Sequence, residues 1–182
     1  MIRMIVGTPN SGKSQRAEDL ACALAGEEPK WYVATMVPLG EGGQQRIQRH
    51  RQMRQGKGFI TKECPYALGR LVEEVRTETH SPKVCLVECM SNWIGNALYA
   101  PEYQNWSEEE IQTMILHEVQ SLGEAFPELI LVTNVFPLED PSYDAETKRY
   151  VQVVQDVNEA LKVRVDQYEQ LEKGDWKQYE NL

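Results

Sequence analysis

The chain has 182 residues, 41% of them hydrophobic, and a formal net charge of −9. That length suits a single domain over 1–182, with a core that needs no disulfide staples. The acidic balance argues against a general nucleic-acid binder, and no stretch reaches the ~18 apolar residues of a membrane-spanning helix.

Ile2 to Val6 reads as a short buried strand, broken at Gly7. Lys13 to Ala25 predicts a helix, because Ala17, Leu20, Ala21 and Leu24 fall on one face. Trp31 to Thr35 is a second strand, and Pro38 to Gly43 reads as a glycine-rich connection. Gln44 to Gln55 predicts a strongly basic helix, followed by a short strand at Phe59 to Thr61. Pro65 to Thr79 predicts another helix with Leu68, Leu71, Val72 and Val75 on one side. Val84 to Glu88 is a buried strand, and Ser91 to Leu98 begins the next helix. Ser107 and Glu110 form a capping box ahead of Ile111, Ile115 and Leu122. Leu129 to Thr133 is a further strand, Pro137 to Ser142 a loop, and Tyr143 to Leu161 a long helix. The segment 163–182 is polar, and its pattern favours no one structure. Strands alternating with helices predict an α/β three-layer fold with a mostly parallel sheet flanked by helices, and the loop Gly7 to Ser14 between the first strand and the first helix makes it P-loop NTPase-like.

Cys22, Cys64, Cys85 and Cys89 form no C-x-x-C pair and read as reduced thiols. The segment MIRMIVGTPNSGK lacks a signal-peptide pattern. Together these features predict a cytoplasmic protein.

Gly7-Thr8-Pro9-Asn10-Ser11-Gly12-Lys13-Ser14 matches G-x-x-x-x-G-K-[ST] in full, after a strand and opening a helix. Backbone N–H groups of such a loop surround phosphates, and the helix terminus adds partial positive charge. The expected ligand is a purine nucleoside triphosphate, GTP or ATP, with Mg²⁺. Lys13 is placed to reach the β- and γ-phosphates and Ser14 to ligate the metal. Glu88, closing the apolar run Val84 to Val87, is the expected second metal ligand. An ordinary strand-end glutamate is the alternative.

Arg46, His50 and Arg54 recur every four residues and share a helical face. Two arginines can hold a triphosphate while a neutral imidazole attacks phosphorus, since like charges disfavour imidazolium. A solvated basic helix would show the same spacing. His80 and His117 have no such company and read as structural or solvated. No metal-ligand spacing of His and Cys is present.

Taken in order, GTPNSGKS at 7–14, YVAT at 32–35, RIQRHRQMR at 46–54, VECMSNWIGNAL at 87–98 and LVTN at 131–134 resemble one family. VNEAL at 157–161 adds a weaker sixth piece. The family is the bifunctional adenosylcobinamide kinase and adenosylcobinamide-phosphate guanylyltransferase of cobalamin assembly. The resemblance implies two reactions: phosphorylation of the aminopropanol hydroxyl of adenosylcobinamide, then GMP transfer from GTP with release of pyrophosphate. It also implies a guanylylated histidine, which falls on His50, and a homotrimer. Lys13 and His50 would be catalytic, with Arg46 and Arg54 steadying phosphates. Departures from the family pattern fall at Gly40 to Gln45, Val135 to Pro141 and Val165 to Leu171. Those stretches would help hold the acceptor or a neighbouring subunit. Two further readings stand beside this one: a diverged kinase of another small alcohol, and a nucleotide-binding regulatory protein without turnover.

Overall fold

The computed structural model describes residues 1–181. Its sheet has seven strands in the order β3-β2-β4-β5-β1-β6-β7. These are β1 (Ile2–Gly7), β2 (Lys30–Ala34), β3 (Phe59–Glu63), β4 (Val84–Glu88), β5 (Glu128–Asn134), β6 (Gln167–Glu172) and β7 (Asp175–Glu180). Every neighbouring pair is parallel except β6 and β7. The helices are α1 (Lys13–Ala25), α2 (Gly40–Arg54), α3 (Arg70–Arg76), α4 (Met90–Tyr99), α5 (Glu108–Ala125) and α6 (Ala145–Lys162).

β1, β4 and β5 are buried runs because a parallel sheet carries helices on both faces. On one face Ala17, Ala21 and Ala25 of α1 pack over Ile5, Leu86 and Ile130. Three alanines bring that helix close to the strands. The other face is larger: Trp93, Ile94, Ile111, Ile115 and Val157 cover Met4, Val87 and Leu131. The expected three-layer α/β fold is therefore present.

The capping box of α5 is formed as its sequence requires. Ser107 Oγ accepts from the Glu110 N–H at 3.1 Å, and Glu110 Oε2 accepts from the Ser107 N–H at 2.7 Å. Ser107→Ala removes one of these partners. It is expected to lower stability by about 0.5–2 kcal/mol, read as a lower urea midpoint with unchanged m-value.

Two local readings need correction, and a third segment, left open, takes a definite form. First, α2 begins at Gly40, so the expected connection at 40–43 is mostly helix. Three glycines lower its intrinsic propensity, but the turn extends a helix already nucleated downstream. Second, α3 spans only Arg70–Arg76, not 65–79. Ala67 is left-handed, with φ 55°, which interrupts helical propagation ahead of it.

Third, the polar tail is a β-hairpin added to the sheet edge. Lys173 and Gly174 both have positive φ, 50° and 89°, and form a two-residue turn of the kind that matches strand twist. β6 then lies beside β1, with Arg3 opposite Gln167 and Val6 opposite Gln170. Its polar residues suit a half-covered edge. Glu169 pairs with Arg16, and the rings of Tyr168 and Tyr179 stack 4.7 Å apart. Charged side chains along β7 discourage pairing with another edge.

The carboxyl ends of β1, β5 and β4 lie side by side at one edge of the sheet. In a parallel sheet that edge is where loops are free to build a site.

Candidate active site

The chain leaves β1 at Gly7 and turns back over its own end before α1. A Cβ on Gly7 would lie 2.6 Å from Ser11 Oγ, so a side chain there would have to displace the Ser11 hydroxyl that folds back over it. Asn10 and Gly12 take left-handed backbone, φ 60° and 84°, which curls the loop around an empty centre. Gly12 is the N-cap of α1 and offers no side chain, and the first turn carries no acid. The first N–H groups of α1 thus remain open to an outside anion.

Lys13 is 7% exposed and its Nζ donates to the Thr8 carbonyl at 3.2 Å. Burial holds its ammonium below the usual lysine range, while Glu88 pulls it back up. Ser14 Oγ donates to Glu88 Oε1 at 2.7 Å. The other carboxylate oxygen of Glu88, Oε2, is buried and has no hydrogen-bond partner among the described residues. Burial pushes the Glu88 carboxyl up to about 7, against the opposing pull of Ser14 and Lys13. The Ser14 hydroxyl and the Glu88 carboxylate, one of whose oxygens is without a partner among the described residues, form a hard oxygen donor set that suits Mg²⁺.

α2 leans over this loop. His50 is half-buried, and burial followed by Arg54, Arg46, Arg49 and Lys13 holds its imidazole below the ordinary histidine value. Its Nδ1 is buried without a partner among the described residues. Arg54 is 8% exposed and lies 3.7 Å over the ring of Tyr32. That stacking fixes a cation against β2, and no ion pair with a carboxylate neutralises it among the described residues. Arg46 is exposed at the rim.

All of this surrounds one cleft of about 810 Å³. Pro9, Asn10, Ser11, Gly12, Lys13 and Ser14 line it from the loop, Arg46, His50 and Arg54 from α2, and Glu88 from β4. Of the residues expected from sequence, Gly7 and Thr8 lie behind the lining. Gly7 supplies the turn and Thr8 the carbonyl that holds Lys13.

The sequence reading missed several contributors. Asn134 ends β5 between the phosphate loop and Glu88, and lines the cleft. Its Nδ2 donates to Ser91 Oγ at 2.6 Å, while its Oδ1 is buried without a partner among the described residues. Thr35 holds the Glu88–Cys89 corner: its Oγ1 accepts from the Cys89 N–H at 2.7 Å and donates to the Cys89 carbonyl at 2.8 Å. Lys57 Nζ reaches Glu18 at 2.6 Å and ties the end of α2 to α1. A polar residue closing an apolar strand was a visible signal for Thr35 and Asn134. No local pattern announces the Lys57–Glu18 pair, whose residues lie 39 positions apart.

A family model described as cobinamide kinase / cobinamide phosphate guanyltransferase matches residues 3–176. The chain is 29% identical over 163 residues to the bifunctional adenosylcobalamin biosynthesis protein CobP of Pseudomonas aeruginosa. That match spans 90% of this chain and 88% of the relative. Among solved structures the ATPase domain of G40P is similar, with a TM-score of 0.58 at 10% identity, covering 96% of this chain and 70% of that one. That likeness speaks to the P-loop fold alone. With a phosphate loop, an acid-closed strand and a histidine between arginines around one cleft, the chain belongs to the cobinamide kinase / cobinamide phosphate guanyltransferase family of bifunctional transferases.

Proposed function

We propose that this chain phosphorylates adenosylcobinamide with a nucleoside triphosphate and then transfers GMP from GTP to the new phosphate through a guanylylated His50. One observation carries the proposal: His50 and the phosphate loop line the same cleft, with unpaired Arg54 beside them.

In the first step the acceptor hydroxyl oxygen attacks the γ-phosphorus. The bond to the β–γ bridging oxygen breaks, the nucleoside diphosphate leaves, and the hydroxyl proton is lost. Loop N–H groups between Gly7 and Ser14, save at Pro9, which has none, and the Lys13 ammonium would meet the charge that gathers on the departing oxygens. Ser14 and Glu88 would hold Mg²⁺, which supplies further neutralisation of phosphate charge when bound.

In the second step an imidazole nitrogen of His50 attacks the α-phosphorus of GTP and pyrophosphate leaves. Oxygen of the acceptor phosphate then attacks the same phosphorus, the P–N bond breaks, and neutral imidazole returns. Covalent catalysis thus divides one displacement into two. Arg46 and Arg54 would steady the phosphates. A homotrimer, a cytoplasmic location, and action on small molecules and not nucleic acid belong to the same proposal.

Incubation with GTP and cobinamide, followed by mass spectrometry of the corrinoid, tests it. A phosphorylated and a guanylylated corrinoid are the expected products. Turnover of nucleotide without a corrinoid product would leave a kinase of another small alcohol. Bound nucleotide without turnover would leave a regulatory binder. The guanylyl step also carries a pH signature. His50 titrates below the ordinary 6.5, so the neutral, nucleophilic form persists to lower pH than in a free histidine. With saturating Mg²⁺, which would hold Glu88 ionised although burial pushes its carboxyl up to about 7, the rate should hold as pH falls from 8 to about 6.5 and decline below that. A decline that begins above pH 7 would assign the acid limb to another group.

A further inference from the structure

A second, smaller space opens where α4 meets α6. Its volume is about 410 Å³, within the range of small-molecule sites. Gly95 and Tyr150 form its floor. A Cβ on Gly95 would lie 3.2 Å from the Tyr150 ring, so the ring packs close against the α4 backbone there. The Tyr150 hydroxyl donates to the Ser91 carbonyl at 3.1 Å, which fixes the ring. Asn92 and Asn96 form one wall, and Asp144, Glu146 and Thr147, at the start of α6, form the other.

Two features connect this groove to the chemistry. Asn92 lines both the groove and the nucleotide cleft, so the two spaces share a wall. The charge changes sign across that wall. The cleft sets Lys13, Arg46, Arg49, Arg51 and Arg54 against Glu63 and Glu88, a positive balance, whereas the groove is lined by Asp144 and Glu146 and by no cation among the described residues. Hydrogen bonds from Thr147 keep the Asp144 carboxyl below its usual range and therefore ionised. A polyphosphate is attracted to the cleft and repelled by the groove. An uncharged or cationic molecule that donates hydrogen bonds suits the groove, where asparagine carbonyls and acids accept them.

We propose that the α4–α6 groove is the acceptor subsite, holding the amide-bearing edge of the alcohol substrate while its hydroxyl arm passes Asn92 into the nucleotide cleft. This rests on the proposed function, because it assumes an acceptor that meets the γ-phosphate. The groove is too small for a whole corrin ring. It takes the aminopropanol arm and the neighbouring carboxamides, leaving the macrocycle against the outer surface. After phosphorylation the arm carries its new charge on the arginine side of the wall, while the uncharged edge stays in place for the second transfer.

The test uses Glu146→Lys, which reverses charge at an exposed rim position, and Thr147→Trp, which fills the groove. Cobinamide binding is read by equilibrium dialysis and visible absorbance. Label uptake from α-labelled GTP, without acceptor, is read on the same proteins. The expected result is at least a ~10-fold loss of cobinamide affinity in both variants, with label uptake unchanged. Unchanged cobinamide affinity in both folded variants overturns the groove. A parent protein that takes the label but retains no cobinamide overturns the groove and the acceptor assignment together, and leaves the guanylyl step standing. A parent that binds cobinamide but takes no label, with binding lost in the variants, supports the groove and removes only His50 guanylylation.

Discussion

His50→Ala protein is expected to take up no covalent label from α-labelled GTP, a loss on the order of 10³-fold or more. In the parent, the label should be acid-labile and base-stable, as a phosphoramidate is. The substitution removes the proposed nucleophile and nothing that holds the fold. His50 sits half-buried on α2, among the described residues its Nδ1 binds nothing, and alanine is the strongest helix former. GTP affinity should stay within a few-fold, because Arg54 remains stacked on Tyr32 and the phosphate loop is untouched. A label that survives in His50→Ala would place the covalent attachment elsewhere. No label in either protein, with GTP still bound, would mean that no covalent intermediate forms.

Lys13→Ala is expected to weaken triphosphate binding by about 30- to 1,000-fold, roughly 2–4 kcal/mol. The side chain is buried and points back over the loop toward the Thr8 carbonyl. Its ammonium is also one of the groups holding the Glu88 carboxyl down. Removing it leaves Glu88 more strongly protonated, so the loss includes a weaker metal site as well as a missing phosphate contact. Lys13→Arg separates the two effects, since it restores charge without the point geometry of an ammonium. Isothermal titration calorimetry reads the affinity. Undiminished binding in Lys13→Ala would overturn the assignment of Gly7 to Ser14 as the phosphate loop.

The parts of the site that local chemistry dictates were legible in the sequence. A glycine-rich loop between a strand and a helix has few other uses, and Glu88 was marked by the four apolar residues before it. The shared face of Arg46, His50 and Arg54 followed from helical periodicity. What periodicity could not reveal was which arginine is buried. Arg54 is, because Tyr32 of β2 offers it a ring, and that contact depends on how α2 lies across the sheet. The Thr35–Cys89 and Asn134–Ser91 bonds were hidden for the same reason: each joins residues more than 40 positions apart.

The first turn of α2 was misread and the tail was left open, each on its own grounds. The first turn of α2 is three-quarters glycine, and only its continuity with the basic helix makes it helical. The β6–β7 hairpin is polar because it lies on an edge, so it lacks the apolar run that betrays a central strand. Its turn was the available clue, yet Lys173-Gly174 is a weaker signal than Asn-Gly or Asp-Gly.

That hairpin governs when, during synthesis, the phosphate loop can acquire its shape. β1 is made long before its neighbours in the sheet, β5 and β6, whose paired residues come 127 and 164 positions later. The indole of Trp176 on β7 comes to rest beside Gly7, 3.3 Å from where a Cβ would stand, and over Arg16 of α1. Until residues 167–180 leave the ribosome, the strand that carries the loop is an open edge with an unsupported end. Such non-local closure is slow and leaves nascent chains exposed to aggregation. A nucleotide that needs the finished loop should therefore act late in folding, by trapping the closed sheet and not by starting it.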